Sequence, residues 1–100
     1  MALPPGAKHS PDFCLVIWNG VELSFSPLQA TIAAELWRAL DEDVPEMRAA
    51  TLLERAGSEL CEARLDPLFF RHPAWKTLII RGRRRGTYRL DPDAFLEKGP

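Results

Sequence analysis

Phe13-Cys14-Leu15-Val16-Ile17-Trp18-Asn19-Gly20-Val21-Glu22-Leu23-Ser24-Phe25-Ser26-Pro27-Leu28-Gln29 encodes two strands, a turn and a helix start in succession. Residues 13–18 are rich in β-branched and aromatic side chains, and residues 21–25 alternate apolar with polar. Asn-Gly between two such runs is the strongest short-range hairpin signal, because both residues tolerate the positive φ of a type I′ turn. The second strand then buries Val21, Leu23 and Phe25 on one face. Ser26 can cap a helix, Pro27 suits its first turn, and Gln29 stands where a capping box needs its return partner.

Downstream, Leu28, Ile32, Leu36 and Leu40 recur at helical spacing, with Trp37 widening the stripe, so this helix should run to about Leu40. Asp41-Glu42-Asp43 and then Pro45 interrupt it. A second helix starts at Pro45 or at Thr51, where Thr51-Leu52-Leu53-Glu54 forms another capping box, and ends at Ala56-Gly57 with Gly57 in the left-handed conformation. Ser58 caps a third helix from Glu59 onward, with Leu60, Cys61, Leu65, Leu68 and Phe69 on one face. Pro67 should kink that helix or split it at Asp66, and His72-Pro73 ends it. Residues 75–81 and Thr87-Tyr88-Arg89-Leu90 form a closing hairpin around the tip Gly82-Arg83-Arg84-Arg85-Gly86.

Upstream, residues 1–12 hold three prolines and a glycine and read as a loose arm. The domain spans residues 13–95, and residues 96–100 should fray. One hundred residues suffice for one core but not for a buried multi-substrate active site. No apolar run approaches the ~20 residues that span a bilayer, and the start lacks a secretion signal, so a cytoplasmic protein is expected. Cys14 and Cys61 then read as reduced, buried hydrophobes, and His9 and His72 are too far apart for a zinc motif.

Hairpin, helix, helix-turn-helix, hairpin is an α+β order and, in outline, a winged helix with three helices. Residues 16–29, with an apolar strand, a Gly turn, a second strand and a Ser-Pro helix start, resemble the opening of the effector domains of two-component response regulators. Gly86-Thr87-Tyr88-Arg89-Leu90 resembles the Gly-x-Tyr/Phe-x-Leu strand that closes the wing in that family. The resemblance covers roughly residues 13–91. It implies a bacterial-type DNA-binding domain with a recognition helix and a wing, acting in transcription regulation.

Charge points the same way. Between Arg71 and Arg89 stand seven basic side chains and no carboxylate. Residues 1–66 carry five basic and eleven acidic groups, residues 67–100 eight and three, so a net charge of −1 hides a polarised molecule. The candidate DNA contacts are Ser58, Arg64 and Arg71 on the expected recognition helix, Lys76 after it, and Arg81, Arg83, Arg84, Arg85 and Arg89 on the wing. Arginine is favoured in a minor groove or along a backbone, and phosphate contacts supply affinity and salt dependence. Such a role requires the tip to face outward; carboxylates folded over it would remove the surface.

His72 is expected to satisfy a backbone carbonyl, the three tryptophans to pack in the core, and one ring of Phe69-Phe70 to face outward. Asp41, Glu42, Asp43 and Glu46 read as a solvated acidic linker rather than an acid/base pair, and no Ser/His/Asp set or phosphate loop is present, so a non-enzyme without cofactor, metal or small-molecule substrate is expected. The partner expected is double-stranded DNA, held by a homodimer or with a partner protein because one such domain covers a half-site. The alternative is a protein-interaction or oligomerisation module, with the acidic half meeting a basic partner.

Overall fold

Asn19 and Gly20 adopt φ of 48° and 83°, the left-handed pair of a type I′ turn. They join β2 (Leu15–Trp18) to β3 (Val21–Ser24) in the antiparallel register Trp18↔Val21 to Leu15↔Ser24. The computed structural model describes residues 3, 4, 6–44, 46–57 and 65–96. These form an α+β fold with two helices and two three-stranded antiparallel sheets among the described residues.

The first sheet gains a strand where a loose arm was expected. β1 (Lys8–His9) pairs with β2, Lys8 opposite Ile17 and His9 opposite Val16. The cause is a hydrogen-bonded turn at residues 10–15. Ser10 Oγ donates to Asp12 at 2.6 Å, Asp12 accepts Cys14 N–H at 3.0 Å, and Ser10 N–H donates to Leu15 O at 2.9 Å. Leu3, Ala7 and Phe13 then pack against the core, so ordering the segment is offset by burial.

α1 (Pro27–Asp41) starts with the expected capping box: Ser26 Oγ accepts Gln29 N–H, and Gln29 Oε1 accepts Ser26 N–H at 2.9 Å. Its buried face carries Ala30, Ile32, Ala33, Leu36, Trp37, Ala39 and Leu40. Trp37 meets Trp18 edge to face at 5.2 Å, which ties the helix to the first sheet.

The second helix begins at neither expected site. β4 (Met47–Arg48) pairs with the last strand, and α2 (Ala49–Arg55) follows directly. Ladder bonds hold residues 47–48 extended, and Ala49 N–H goes to Gly86 O at 3.0 Å, so no helix can form earlier. Thr51 therefore lies inside the helix, and Pro45 is outside the described residues. Gly57 takes φ 71°, closing α2 as expected.

Ser58, Glu59, Leu60, Cys61, Glu62 and Arg64, the start of the expected third helix, lie outside the described residues. Its remaining part, from Leu65 to Arg71, is a series of turns and not helix. Pro67 has no N–H to give, and Arg71 at φ 59° reverses the chain. Residues 76–78 are turns and Trp75 makes only an isolated bridge to Ile79, because Leu78 and Ile79 N–H groups both return to Ala74 O. β5 (Ile79–Arg81) and β6 (Thr87–Leu90) complete the second sheet in the order β4-β6-β5. The chain after β6 is pinned to the first hairpin, since Asn19 Nδ2 donates to Pro92 O and Ala94 O at 2.8 Å each.

Candidate nucleic-acid interface

β5 and β6 project the tip 82–86 as a tight turn closed by Gly82 N–H to Thr87 O at 3.0 Å. Arg81, Arg83, Arg84 and Arg85 are exposed, and among the described residues no hydrogen bond or ion pair engages their guanidinium groups. Four exposed arginines within five positions concentrate positive potential at the tip of this hairpin.

The basic run is nevertheless not one patch. Lys76 sits in the turn leading into β5, its N–H bonded to Ile79 O at 3.0 Å, at the opposite end of the strand from the tip. Arg71 is farther back along the chain, its guanidinium 5.2 Å from the Phe70 ring. Arg89 is half-buried in β6 and engaged within the fold, so it is not a free cation. Ser58 and Arg64 lie outside the described residues.

β4 brings two groups that sequence reasoning did not place here. Arg48 stands opposite Thr87, adding an exposed cation beside the tip. Glu46, read as part of a solvated acidic linker, instead reaches under the turn. Its Oε1 accepts the main-chain N–H groups of Arg83 and Arg84, the latter at 3.2 Å. Thr87, only 5% exposed, has one hydroxyl proton and two acceptors within reach, Arg84 O at 2.5 Å and Glu46 Oε1 at 3.3 Å. One carboxylate thus does fold onto the tip, but it takes backbone amides and leaves the guanidinium groups outside.

The Glu46 carboxyl is held below its ordinary value of 4.5, chiefly by the Arg84 amide and then by the Arg83 amide, the Thr87 hydroxyl and the Arg83 charge; partial burial opposes them. A carboxyl lowered on folding stabilises the fold above 4.5 and loses that contribution as pH falls through its folded value. The Arg83 and Arg84 amide resonances should therefore titrate together below pH 4.5, with no inflection above it, and Glu46→Gln should abolish the response. A tip whose amides ignore acidification would exclude the contact.

Elsewhere the polar and aromatic groups are structural. Ala74 N–H donates to His72 Nδ1 at 3.0 Å, so the proton is on Nε2, which donates to Ser24 O at 2.6 Å. His72 also stacks on Phe25 at 4.8 Å, holding the 65–75 segment on β3. Trp75 is half-buried between Phe69 and Tyr88. Phe69 is buried and Phe70 is 74% exposed, the expected division of that pair. Cys14 is a free, half-buried thiol, pushed up by burial and by the Asp12 carboxylate; Cys61 lies outside the described residues. Among the described residues no three His, Cys, Asp or Glu gather to hold a metal, and no helix is long and apolar enough to cross a membrane. Set against known protein families, characterised proteins and solved structures, the chain matches none.

Proposed function

We propose that this chain is a small winged-helix DNA-binding protein whose arginine hairpin grips the phosphate backbone of duplex DNA, in the manner of a transcription regulator. The observation that carries the proposal is the set of four exposed arginines, Arg81, Arg83, Arg84 and Arg85, on one hairpin, extended by the exposed Arg48 opposite Thr87. A hydrogen-bonded base within the three-stranded second sheet positions them, so the strands need not be ordered anew when a polyanion arrives. The element order supports the same reading: a hairpin, a helix, a short strand that pairs with the closing hairpin, a second helix and the hairpin itself. The role is binding rather than catalysis. Sequence choice would fall to residues 58–64, and phosphate contact to the hairpin.

The test is duplex binding across a salt series. Four or five neutralised phosphates give a slope of log K against log salt of about −4. Single-stranded competitor should bind more weakly and with a shallower slope, about −0.7 per contact. A protein that ignores duplex DNA at low salt would overturn the proposal.

A second reading, docking to another protein, is favoured by the exposed Val44, at 61%, beside the acidic Asp41, Glu42 and Asp43, and by the exposed Phe70. Concentration-dependent elution without DNA binding would select it, and these acidic residues would then meet a basic partner or a second copy of this chain.

A further inference from the structure

The seat that Glu46 occupies has the make-up of an oxyanion site. Two consecutive main-chain N–H groups, from Arg83 and Arg84, converge on one oxygen, with the Thr87 hydroxyl beside it. Successive amides arranged this way form a concavity that binds anions. Gly82 makes the concavity possible. A Cβ there would overlap Glu46 Oε1, Glu46 Cγ and Thr87 Oγ1, so any larger residue fills the seat. The groove beside it is lined by Val44, Arg48, Arg84 and Thr87 as well as Glu46, so two arginines border the same groove.

A carboxylate uses this site incompletely. One oxygen takes both amides, whereas a tetrahedral phosphate has further oxygens for Arg48 and Arg84, the geometry that arginine serves best. Glu46 comes from another part of the chain, just before β4 and outside its ladder pairs, so it can leave without breaking either sheet. We propose that the turn at residues 82–87 is a phosphate-binding site, and that Glu46 is its internal occupant, displaced when phosphate binds. The affinity of the hairpin for phosphate is then set by how often Glu46 vacates the seat. An occupant seated nine-tenths of the time lowers apparent affinity about tenfold. That the phosphate belongs to nucleic acid rests on the function proposed above; the site itself does not.

The experiment follows the amide resonances of Arg83 and Arg84 in the full chain during titration with inorganic phosphate. Glu46→Ala should give saturable shifts at both amides, with half-saturation roughly tenfold lower than in the unaltered protein. Glu42→Ala, which removes the same charge nearby, should leave the titration unchanged. Adding Gly82→Ala to Glu46→Ala should abolish the shifts, since the new methyl occupies the seat while every arginine remains. If the alanine variant loses its folded spectrum, Glu46→Gln, whose neutral oxygen holds the two amides more weakly than a carboxylate, should still lower the half-saturation, though by less than tenfold. Equal responses in Glu46→Ala and the unaltered protein overturn the proposal, as does a response that survives Gly82→Ala, because phosphate would then sit on the guanidinium groups alone.

A duplex titration separates this proposal from the function above. Phosphate shifts at Arg83 and Arg84 without duplex binding support the site and count against nucleic acid as its ligand. Salt-dependent duplex binding that leaves both amides unmoved sinks the site and leaves the DNA function standing.

Discussion

Replacing Trp18 with alanine is expected to destabilise the fold by about 3–5 kcal/mol, the range for emptying a fully buried tryptophan site. Trp18 is 0% exposed, and its single side chain joins three parts of the molecule. Its ring meets Trp37 of α1 at 78°, and its indole N–H donates to Asp91 O at 3.0 Å, just beyond β6. Alanine therefore leaves a cavity and removes one of the two donors to Asp91 O, which keeps only Ala94 N–H at 3.1 Å, and the segment that Asn19 also clamps is loosened. A domain this size is stable by only about 5–15 kcal/mol, so the variant should be near the edge of folding at 37 °C. Urea unfolding followed by far-ultraviolet circular dichroism is the measurement. Trp18→Phe, which refills most of the space but lacks the N–H, should cost about 1–2 kcal/mol. A loss below about 1 kcal/mol for the alanine variant would show that the three parts are held together some other way.

The parts of the fold legible in the sequence are those written in local chemistry. Asn19-Gly20 specified its turn, Ser26 and Gln29 their capping box, and Gly57 the end of α2, because each acts on neighbours one to three positions away. The helical stripe ending at Leu40 was legible for the same reason. What stayed hidden depends on distant pairing. β4 is two residues long and has no pattern of its own; it exists because Met47 meets Tyr88 and Arg48 meets Thr87. Without that strand, Thr51-x-x-Glu54 looks like a helix start, although residues 47–48 are already committed to the sheet. β1 was hidden by its prolines, yet Ser10-Pro11-Asp12 is a turn signature that could have placed a strand before it.

The same distinction governs the candidate interface. Seven cations in a row are visible in any reading of the sequence, but where each points is set by the hairpin. Folding puts Lys76 at the opposite end of β5 from the tip, engages Arg89, and recruits Arg48 from 33 positions before Arg81. Glu46 was missed because four carboxylates near a proline look like solvated linker. Only the second sheet, by bringing β4 beside β6, turns one of them inward to the Arg83 and Arg84 amides.

Simultaneous replacement of Arg83, Arg84 and Arg85 by alanine should separate binding from stability. All three are exposed, so the unfolding midpoint should move by no more than surface substitutions usually do, about 0.5 kcal/mol in either direction. Duplex affinity should fall steeply. If each guanidinium neutralises one phosphate, losing three flattens the salt slope by about 2.7. With the remaining contacts unchanged, the loss is roughly 500-fold at 0.1 M salt and vanishes towards 1 M, where counterion release no longer favours binding. Arg71→Ala and Lys76→Ala are the informative comparison, because they remove charge that precedes β5 in the chain, away from the tip residues themselves. Each should change the slope by well under the ~0.9 of a full phosphate contact if DNA is met by the tip. Arg71 and Lys76 variants that flatten the slope as much as tip variants would mean that the duplex meets the whole run from Arg71 to Arg85, and the hairpin would then be one edge of a broader surface. A triple variant with unaltered slope would mean that the hairpin meets no phosphate at all, and the exposed Phe70 and Val44 would become the surfaces to follow.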